Sequence, residues 1–263
     1  MKKAPESKLK NIRLIITDLD NTALTPQKTF SKRTIRAFSA VMEHGIHTGV
    51  DTARAQCLST DLFRMLGVDC AVSNDGATVY YKNELVYGAV IPDDVVYGLL
   101  SFCNGNKACK RLTAITENCL YTNLLISEYD YLRPNFLYHD FSKPLGEPVY
   151  KILAELTEPD LASEIAERFG CRLQNYRGES LYCYVMPQTG KFYSLCRLCD
   201  VLGISIDQVV AFGDDYGDIE MINGAGYGVA MDNAIDEVKE VADYICGPNT
   251  EDGVAEFIEK YIL

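Results

Sequence analysis

Long apolar runs are missing from this sequence. The longest, such as residues 95–100, fall far short of the roughly 20 residues that a bilayer-crossing helix requires. The opening Met1-Lys2-Lys3 is not followed by an apolar stretch, so we expect neither a membrane span nor a signal peptide. Internal repeats, low-complexity tracts and long linkers are also lacking.

Histidine is scarce, with three residues, at 44, 47 and 139. The ten cysteines include one Cys-x-x-Cys pair, Cys196 and Cys199, but no second pair follows, and the spacing completes no zinc set. We interpret the pair as buried thiols, because residues three apart on a helix share one face. Ten cysteines without a signal peptide indicate a reducing compartment, and the predicted location is the cytoplasm.

Basic residues are outnumbered by acidic ones, 25 against 37, and the net charge is −12. This charge repels nucleic acid and anionic membrane surfaces, so we expect neither as a partner. The same field opposes a phosphate ligand, which would need a metal ion and a few well-placed cations. The length of 263 residues, with 48% apolar and 24% charged residues, fits one large domain or a core that carries an inserted one.

Apolar runs alternate with helical patterns at both ends of the chain. Residues 12–19 form an apolar run typical of a strand buried on both faces. Ser31 is a candidate helix N-cap, Gly45 a helix stop, and residues 46–51 the next strand. Further elements are predicted at 54–66 (helix), 70–73 (strand), 191–202 (helix), 209–212 (strand), 218–223 (helix), 227–230 (strand) and in a last helix ending at 263. This order predicts an α/β fold with a doubly wound, Rossmann-like parallel sheet.

The pattern changes between about residues 80 and 186, where most of the 17 tyrosines lie. Alternating segments at 112–116, 120–123 and 181–185 mix with helical stretches. We interpret this region as an inserted α+β domain at 84–186, which leaves a core of residues 1–83 and 187–263.

Two carboxylates follow the first predicted strand, in Asp18-Leu19-Asp20-Asn21-Thr22. This spacing lets the Asp18 carboxylate and the Asp20 backbone carbonyl face one ion, while the Asp20 carboxylate turns toward a neighbouring oxygen. Magnesium (Mg2+) prefers such hard oxygen ligands. The alternative is a polar loop in which Asp18 or Asp20 caps a turn.

Two more carboxylates, Asp214 and Asp218, follow the apolar strand at 209–212. In a doubly wound sheet, ligands lie beyond the carboxyl ends of the strands, so this pair should lie near Asp18 and Asp20. Four acids in one crevice repel each other strongly unless a cation holds them together. The spacing therefore favours a metal site.

Thr52 and Lys191 complete the candidate site. Thr52, in Asp51-Thr52-Ala53-Arg54, ends the second predicted strand and leads into a helix, whose first backbone N–H groups can bind phosphate oxygens. The alternative is that Thr52 is simply an N-cap. Lys191 begins a later helix, and the alternative for it is ordinary exposure to solvent.

Together these residues resemble the four motifs of the haloacid dehalogenase (HAD) superfamily. The position of the insertion resembles the Cof-type branch with a type IIB cap, as do the segments 73–77, 226–234 and 251–255. The resemblance implies roles for the following residues: Asp18 as nucleophile, Asp20 as general acid and base, Thr52, Ala53, Arg54 and Lys191 in phosphate contacts, and Asp18, Asp20 (backbone carbonyl), Asp214 and Asp218 around the metal.

The implied activity is magnesium-dependent hydrolysis of a small organic phosphate monoester, such as a sugar phosphate, through a phosphorylated Asp18. A carboxylate nucleophile splits the hydrolysis into two displacements. Two alternatives stay open: a phosphotransferase or mutase that uses the same phospho-aspartate, and a non-catalytic phosphate-sensing protein. We expect a small phosphorylated metabolite as ligand and a monomer or small homo-oligomer.

Three positions depart from the branch pattern: Ala53, where Gly is usual, and Asp75 and Gly217, where Asn is usual. Ala53 is a mild change, because only its backbone need approach phosphate, whereas Asp75 and Gly217 bear on efficiency and substrate preference. Candidate pocket residues in the insertion are Tyr129, Tyr131, Arg133, Arg177 and Tyr182. The alternative is that these tyrosines simply favour strands and half-buried positions.

Overall fold

A computed structural model describes residues 9–124, 135–176 and 178–263. The chain divides into two compact units. The first consists of Met1–Arg54, Ser59–Tyr87 and Gly190–Leu263, and the second of Ala55–Leu58 and Gly88–Thr189. None of the helices in the described ranges is both long and apolar enough to cross a membrane.

The strands, in chain order, are β1 (Leu14–Thr17), β2 (His47–Asp51), β3 (Cys70–Ser73), β4 (Thr78–Tyr81), β5 (Glu84–Gly88), β6 (Cys109–Ile115), β7 (Leu120–Thr122), β8 (Phe136–Tyr138), β9 (Lys151–Leu156), β10 (Arg172–Asn175), β11 (Leu181–Val185), β12 (Val209–Gly213), β13 (Tyr227–Met231) and β14 (Tyr244–Cys246). The α-helices are α1 (Lys32–Glu43), α2 (Gln56–Leu66), α3 (Asp93–Asn104), α4 (Pro159–Phe169), α5 (Lys191–Leu202), α6 (Ile219–Gly224), α7 (Asp236–Val241) and α8 (Gly253–Tyr261).

The first unit is built on an eight-stranded sheet of order β14-β13-β12-β1-β2-β3-β4-β5. The neighbours from β14 to β3 are parallel, and β4 joins β3 antiparallel. Every residue of β1 and β12 is buried, as expected for strands covered on both faces. The predicted α/β fold with a doubly wound parallel sheet is confirmed.

Local signals fix several helix ends. The Ser31 side chain accepts a hydrogen bond from the Thr34 N–H at 3.0 Å, which confirms it as the N-cap of α1. Gly45 follows that helix with a φ of 75°, a conformation that glycine adopts at little cost. The strand predicted at 12–19 is shorter than expected. The chain leaves it after Thr17 and forms a tight turn in which the Leu24 N–H donates to the Leu19 carbonyl at 2.8 Å.

The second unit contains a six-stranded sheet of order β10-β11-β9-β6-β7-β8. Its pairs are antiparallel except for β7 with β8. One apolar cluster joins the sheet to α3 and α4, and Tyr182 belongs to it. That placement supports the interpretation of Tyr182 as a buried strand residue. Tyr129, Tyr131, Arg133 and Arg177 lie outside the described residues.

Candidate active site

Three parallel neighbours, β12, β1 and β2, end side by side in the first unit. Thr17 at the end of β1 is level with Phe212 on one side and Val50 on the other. The residues that leave these strands, Asp18, Thr52 and Asp214, therefore begin loops at one edge of the sheet. This is the carboxyl edge, where ligands of such sheets bind.

Asp18, Asp214 and Asp218 form a buried acidic cluster at this edge. One carboxylate oxygen from each lies within 4.8 Å of the others. Lys191 is also buried, and its Nζ donates to Asp18 Oδ1 and to Asp218 Oδ1, each at 2.6 Å. The structure thus brings four of the predicted site residues together. The interpretation of Lys191 as a solvent-exposed lysine is wrong.

The cluster holds three carboxyl groups and one ammonium group, and all four side chains are buried. Burial, together with the charges of Asp218 and Asp214 and against the attraction of Lys191, raises the pKa of Asp18 to about 8. Burial also raises the pKa of Asp214 to about 7. For Lys191, burial alone would lower the pKa, but the charges of Asp18, Asp218 and the neighbouring Asp51 raise it well above its usual value. Lys191 therefore stays protonated and offsets only part of the negative charge.

Asp218 is held in place by the turn that contains Asp214. Its Oδ2 accepts hydrogen bonds from the backbone N–H groups of Asp214 at 2.9 Å and Asp215 at 3.1 Å. A Cβ atom on Gly213 would lie 2.5 Å from the Asp218 Cβ, closer than real contacts allow. Glycine at 213 thus permits the Asp218 side chain to pack against the end of β12.

Thr22 contributes to the cluster, although it was not among the predicted site residues. Its hydroxyl is buried and donates to Asp214 Oδ1 at 2.7 Å. The fixed position of Thr22 in the Asp-x-Asp-x-Thr pattern was the signal that could have identified it. The bond orients one carboxylate of the cluster.

The Asp20 side chain makes a different set of contacts. Arg54 donates to both of its carboxylate oxygens at 2.7 Å, through Nε and Nη2, and Lys28 Nζ donates to Oδ1 at 2.7 Å. Burial by itself would raise the pKa of Asp20, but the hydrogen bonds from Arg54 and Lys28 outweigh it and hold the pKa below its usual value. Lys28 was not predicted, because it lies in an exposed turn with no motif around it.

Thr52 follows β2 directly but does not begin a helix. The helix predicted from 54 starts instead at Gln56, and the interpretation of Thr52 as an N-cap is wrong. Its hydroxyl accepts a hydrogen bond from the Arg54 N–H two residues on, at 3.2 Å, which stabilises a bend. Ala53 and Arg54 lie in this bend and are half-buried.

A close backbone approach positions Lys191. The Gly190 N–H donates to the Asp75 carbonyl at 3.1 Å, and a Cβ on Gly76 would meet the Gly190 carbonyl oxygen at 2.4 Å. Gly76 has a φ of +83°, so glycine is needed there for both space and conformation. The segment around Asp75 and Gly76 thus supports the start of α5.

Asp51 is a buried acid that was not among the predicted site residues. It is fully buried, and within the described part of the chain neither of its carboxylate oxygens has a hydrogen-bond partner. Burial, with the charges of Asp218, Asp18 and Asp75 and despite Lys191, raises its pKa well above the usual value. A carboxylate as the last residue of a strand buried on both faces was the signal in the sequence.

The other two departures from the branch pattern lie in different surroundings. Asp75 is buried with a φ of 56°. Gly217 is exposed in the short 3-10 turn Tyr216–Asp218.

Comparisons with known proteins agree with this architecture. The family model described as haloacid dehalogenase-like hydrolase matches residues 15–258. The chain is 27% identical to the 5-amino-6-(5-phospho-D-ribitylamino)uracil phosphatase YitU of Bacillus subtilis, over 94% of this chain and 97% of that protein. It is 28% identical to the pyridoxal phosphate phosphatase YbhA of Escherichia coli, over 95% and 99%.

Solved structures of similar proteins agree with this architecture. A haloacid dehalogenase-like hydrolase from Bacteroides thetaiotaomicron matches with a TM-score of 0.83 and 28% identity, over 95% of this chain and 99% of that one. A subclass IIB sugar phosphatase matches with a TM-score of 0.82 over 95% and 100%, at 22% identity, and shares the fold.

This chain belongs to the haloacid dehalogenase-like hydrolase family. The resemblance to the HAD superfamily and its Cof-type branch, which the motifs predicted, is confirmed.

Proposed function

We propose that this protein is a magnesium-dependent phosphatase that hydrolyses a small organic phosphate monoester through a phosphorylated Asp18. The observation that carries the proposal is the cluster of Asp18, Asp214 and Asp218. Lys191 donates hydrogen bonds to Asp18 and to Asp218. A carboxylate nucleophile, further carboxylates near it for a metal ion and a fixed cation are the groups that phosphoryl transfer needs.

The donor set fits magnesium. Its atoms are hard carboxylate oxygens, three of them within 4.8 Å of one another, and Lys191 alone does not balance their charge. We propose that Asp18, Asp214 and the Asp20 backbone carbonyl hold the ion and that Asp218 supports its waters. When bound, the ion neutralises charge on the transferring phosphoryl group.

The protein's own groups then have distinct tasks. Lys191 engages Asp18 Oδ1, so we assign the attack on phosphorus to Asp18 Oδ2. The ester P–O bond breaks as the Asp18–phosphorus bond forms, and the alcohol leaves with a proton from Asp20. In the second step a water gives its proton to Asp20 and attacks phosphorus, which releases Asp18. Thr52, Ala53, Arg54 and Lys191 contact the phosphoryl oxygens.

The proton on Asp20 has to be present in the first step. Arg54 and Lys28 hold this carboxylate ionised, with its pKa below the usual value. In that state Asp20 is ready to act as the base of the second step. We propose that Arg54 exchanges its bond to Asp20 for phosphate contacts when substrate binds, which lets Asp20 take up the proton that the leaving alcohol needs.

The proposed substrate is a small phosphorylated metabolite. The two curated relatives act on phosphate esters of primary alcohols that also carry a nitrogen heterocycle, according to their names. We propose the same bond type here and assign the choice among metabolites to an inserted cap at 84–186. We also propose a cytoplasmic location, which is supported by ten cysteines that are all free thiols.

The test is a phosphate-release assay over a panel of phosphorylated metabolites, with Mg2+ and with excess chelator. We expect activity that needs the metal and that Asp18→Asn abolishes while the fold persists. Asp61→Asn is the matched control, because the Asp61 side chain is 94% exposed and pairs with Arg64 on the same helix. Turnover in Asp18→Asn would show that another residue attacks.

The same assay separates the alternatives. A phosphotransferase or mutase would release less phosphate when sugar acceptors are added, because the acceptor hydroxyl competes with water for phospho-Asp18. A sensing protein would bind the metabolite and Mg2+ without releasing phosphate from any member of the panel.

A further inference from the structure

A second group of metal-ligating side chains lies at the amino end of the sheet in the first unit. His47 is the first residue of β2, Cys70 is the first residue of β3, and Asp69 directly precedes Cys70. One ligand atom from each lies within 4.8 Å of the other two. His47 Nδ1 lies 2.6 Å from Asp69 Oδ2, and the Cys70 thiol donates to Asp69 Oδ1 at 3.3 Å.

We propose that His47, Asp69 and Cys70 bind one zinc ion, with water as the fourth ligand. An imidazole nitrogen, a thiolate and a carboxylate oxygen are the three ligand types that zinc uses, whereas magnesium selects oxygen alone. Around a tetrahedral zinc these ligand atoms would lie about 3.3–3.6 Å apart. The observed separations are close enough for side-chain rotations to reach that geometry.

The surroundings of the cluster suit a bound ion. Cys70 is buried, while the His47 and Asp69 side chains are 25% and 26% exposed, so one side is open for the ion and its water. The Thr48 N–H donates to Asp69 Oδ1 at 3.1 Å, and the Tyr81 ring meets the His47 ring edge-on. Such outer contacts orient ligands and increase metal affinity.

Charge balance supports a divalent ion. The Asp69 carboxylate and a Cys70 thiolate together neutralise its two positive charges. Without a metal the thiolate is disfavoured, because burial and the neighbouring Asp69 raise the pKa of the Cys70 thiol. The ion would take the place of the thiol proton, so zinc binding releases that proton. Lys82 also faces the thiol, and its positive charge weakens the binding of any cation here.

No sequence spacing predicts this cluster, because its ligands come from neighbouring strands 22 residues apart. The Cys-x-x-Cys pair, Cys196 and Cys199, does not belong to this cluster. The cluster is also independent of the proposed catalytic site. His47 begins β2 and Asp51 ends it, so roughly 13 Å of strand separate it from the carboxyl edge.

The test uses Co2+ as a spectroscopic probe of the zinc site in the full chain, with Mg2+ in excess to fill the oxygen site. A cobalt–thiolate bond gives a near-ultraviolet charge-transfer band that oxygen ligands do not give. We expect this band to saturate at one equivalent of Co2+ and to be displaced by zinc. The band should disappear in Cys70→Ser. In His47→Gln the affinity for Co2+, measured from the band, should fall at least tenfold.

Matched controls are Cys246→Ser, which removes a buried thiol from β14, and His44→Gln, which removes an exposed imidazole. Both should keep the band. If Cys70→Ser fails to fold, the partly exposed His47→Gln still decides the point. Absence of the band in the unmodified protein would overturn the proposal, as would its persistence in folded Cys70→Ser or in His47→Gln at full affinity.

Discussion

Thr22 and Asp214 are joined by a buried hydrogen bond of 2.7 Å between residues 192 positions apart in the chain. The bond links the turn after β1 to the turn after β12 and orients the Asp214 carboxylate. It also opposes the rise in the pKa of Asp214 that burial causes. Thr22 therefore acts on the proposed metal site through Asp214.

Replacing this hydroxyl should weaken metal binding. In Thr22→Val the side-chain shape is nearly kept, but Asp214 loses a donor and holds its proton more tightly. We expect the Mg2+ concentration for half-maximal activity to rise about 10–100-fold, with the rate at saturating Mg2+ changed much less. Thr22→Ser is the control, because it keeps the hydroxyl. An unchanged Mg2+ dependence in Thr22→Val would contradict the assignment.

Magnesium affinity should depend strongly on pH. The pKa values of Asp18, about 8, and Asp214, about 7, mean that both carboxyls hold protons in acidic solution. Because the ion has to displace those protons, its dissociation constant should fall as pH rises from 6 to 8, by about tenfold per pH unit for each displaced proton. Above pH 8 the curve should flatten.

Calorimetric titration with Mg2+ at pH 6, 7, 8 and 9 measures this dependence. Repeating the titration in two buffers of different ionisation enthalpy gives the number of protons released. Affinity that stays constant between pH 6 and 8, with no proton release, would mean that the carboxyls are already ionised before the metal binds.

Asp51 should lower the free energy of unfolding at neutral pH. Its folded-state pKa is raised by burial, so folding is unaffected by its charge below the unfolded pKa near 4 and is opposed increasingly above it. Asp51→Asn removes that opposition. We expect the variant to gain unfolding free energy relative to the parent as pH rises above about 4, by at most about 1.4 kcal/mol per pH unit.

Urea unfolding in chelator at pH 4.5 and pH 7.5 tests this prediction. Asp61→Asn, at an exposed carboxylate, should differ from the parent by less than about 0.5 kcal/mol at both values. If Asp51→Asn were less stable than the parent at pH 7.5, the ionised carboxylate would have a stabilising partner after all.

Asp20→Asn should separate the two proton transfers assigned to this residue. An alkoxide is a poor leaving group and needs a proton, so hydrolysis of an alkyl phosphate should fall about 10²–10⁴-fold. Nitrophenolate leaves without help, so nitrophenyl phosphate should still give a rapid burst of about one equivalent of nitrophenol as phospho-Asp18 forms. Slow turnover should follow, because the second step lacks its base.

Stopped-flow absorbance measures the burst, and circular dichroism and Mg2+ binding establish that the variant is intact. Equal loss toward both substrates without a burst would show that Asp20 acts through the metal site or the placement of Asp18. In that case the contacts of Arg54 and Lys28 with the Asp20 side chain would serve to place it near Asp18.

The sequence predicted most reliably those features that depend on residues close together in the chain. The approximate bounds predicted for β3, β11 and α5 agree with the structure, because short apolar segments and helical spacing mark these elements. The doubly wound order followed from the alternation of strands and helices. Since parallel strands end together, it also predicted that Asp18 and Asp214 meet.

Side-chain contacts between distant segments could not be predicted from the sequence. The start of α2 was misplaced because the Thr52 hydroxyl stabilises a bend that competes with the helix. The Lys28 bond to Asp20 depends on a neighbour eight residues away that no motif in the sequence indicates. The cluster of His47 with Cys70 depends on strand register, which no spacing along the chain encodes.

The order of strands in the first sheet also affects how the chain is made. β1 pairs on one side with β12, Leu14 level with Val209, so 195 residues separate the partners. At a synthesis rate of about 5–20 residues per second, that apolar strand edge waits roughly 10–40 s for its neighbour. Throughout this interval the nascent chain presents an unpaired, hydrophobic edge, which is a template for aggregation. Ribosome-bound chains that stop before β12 should therefore depend on chaperones more than chains that extend past it.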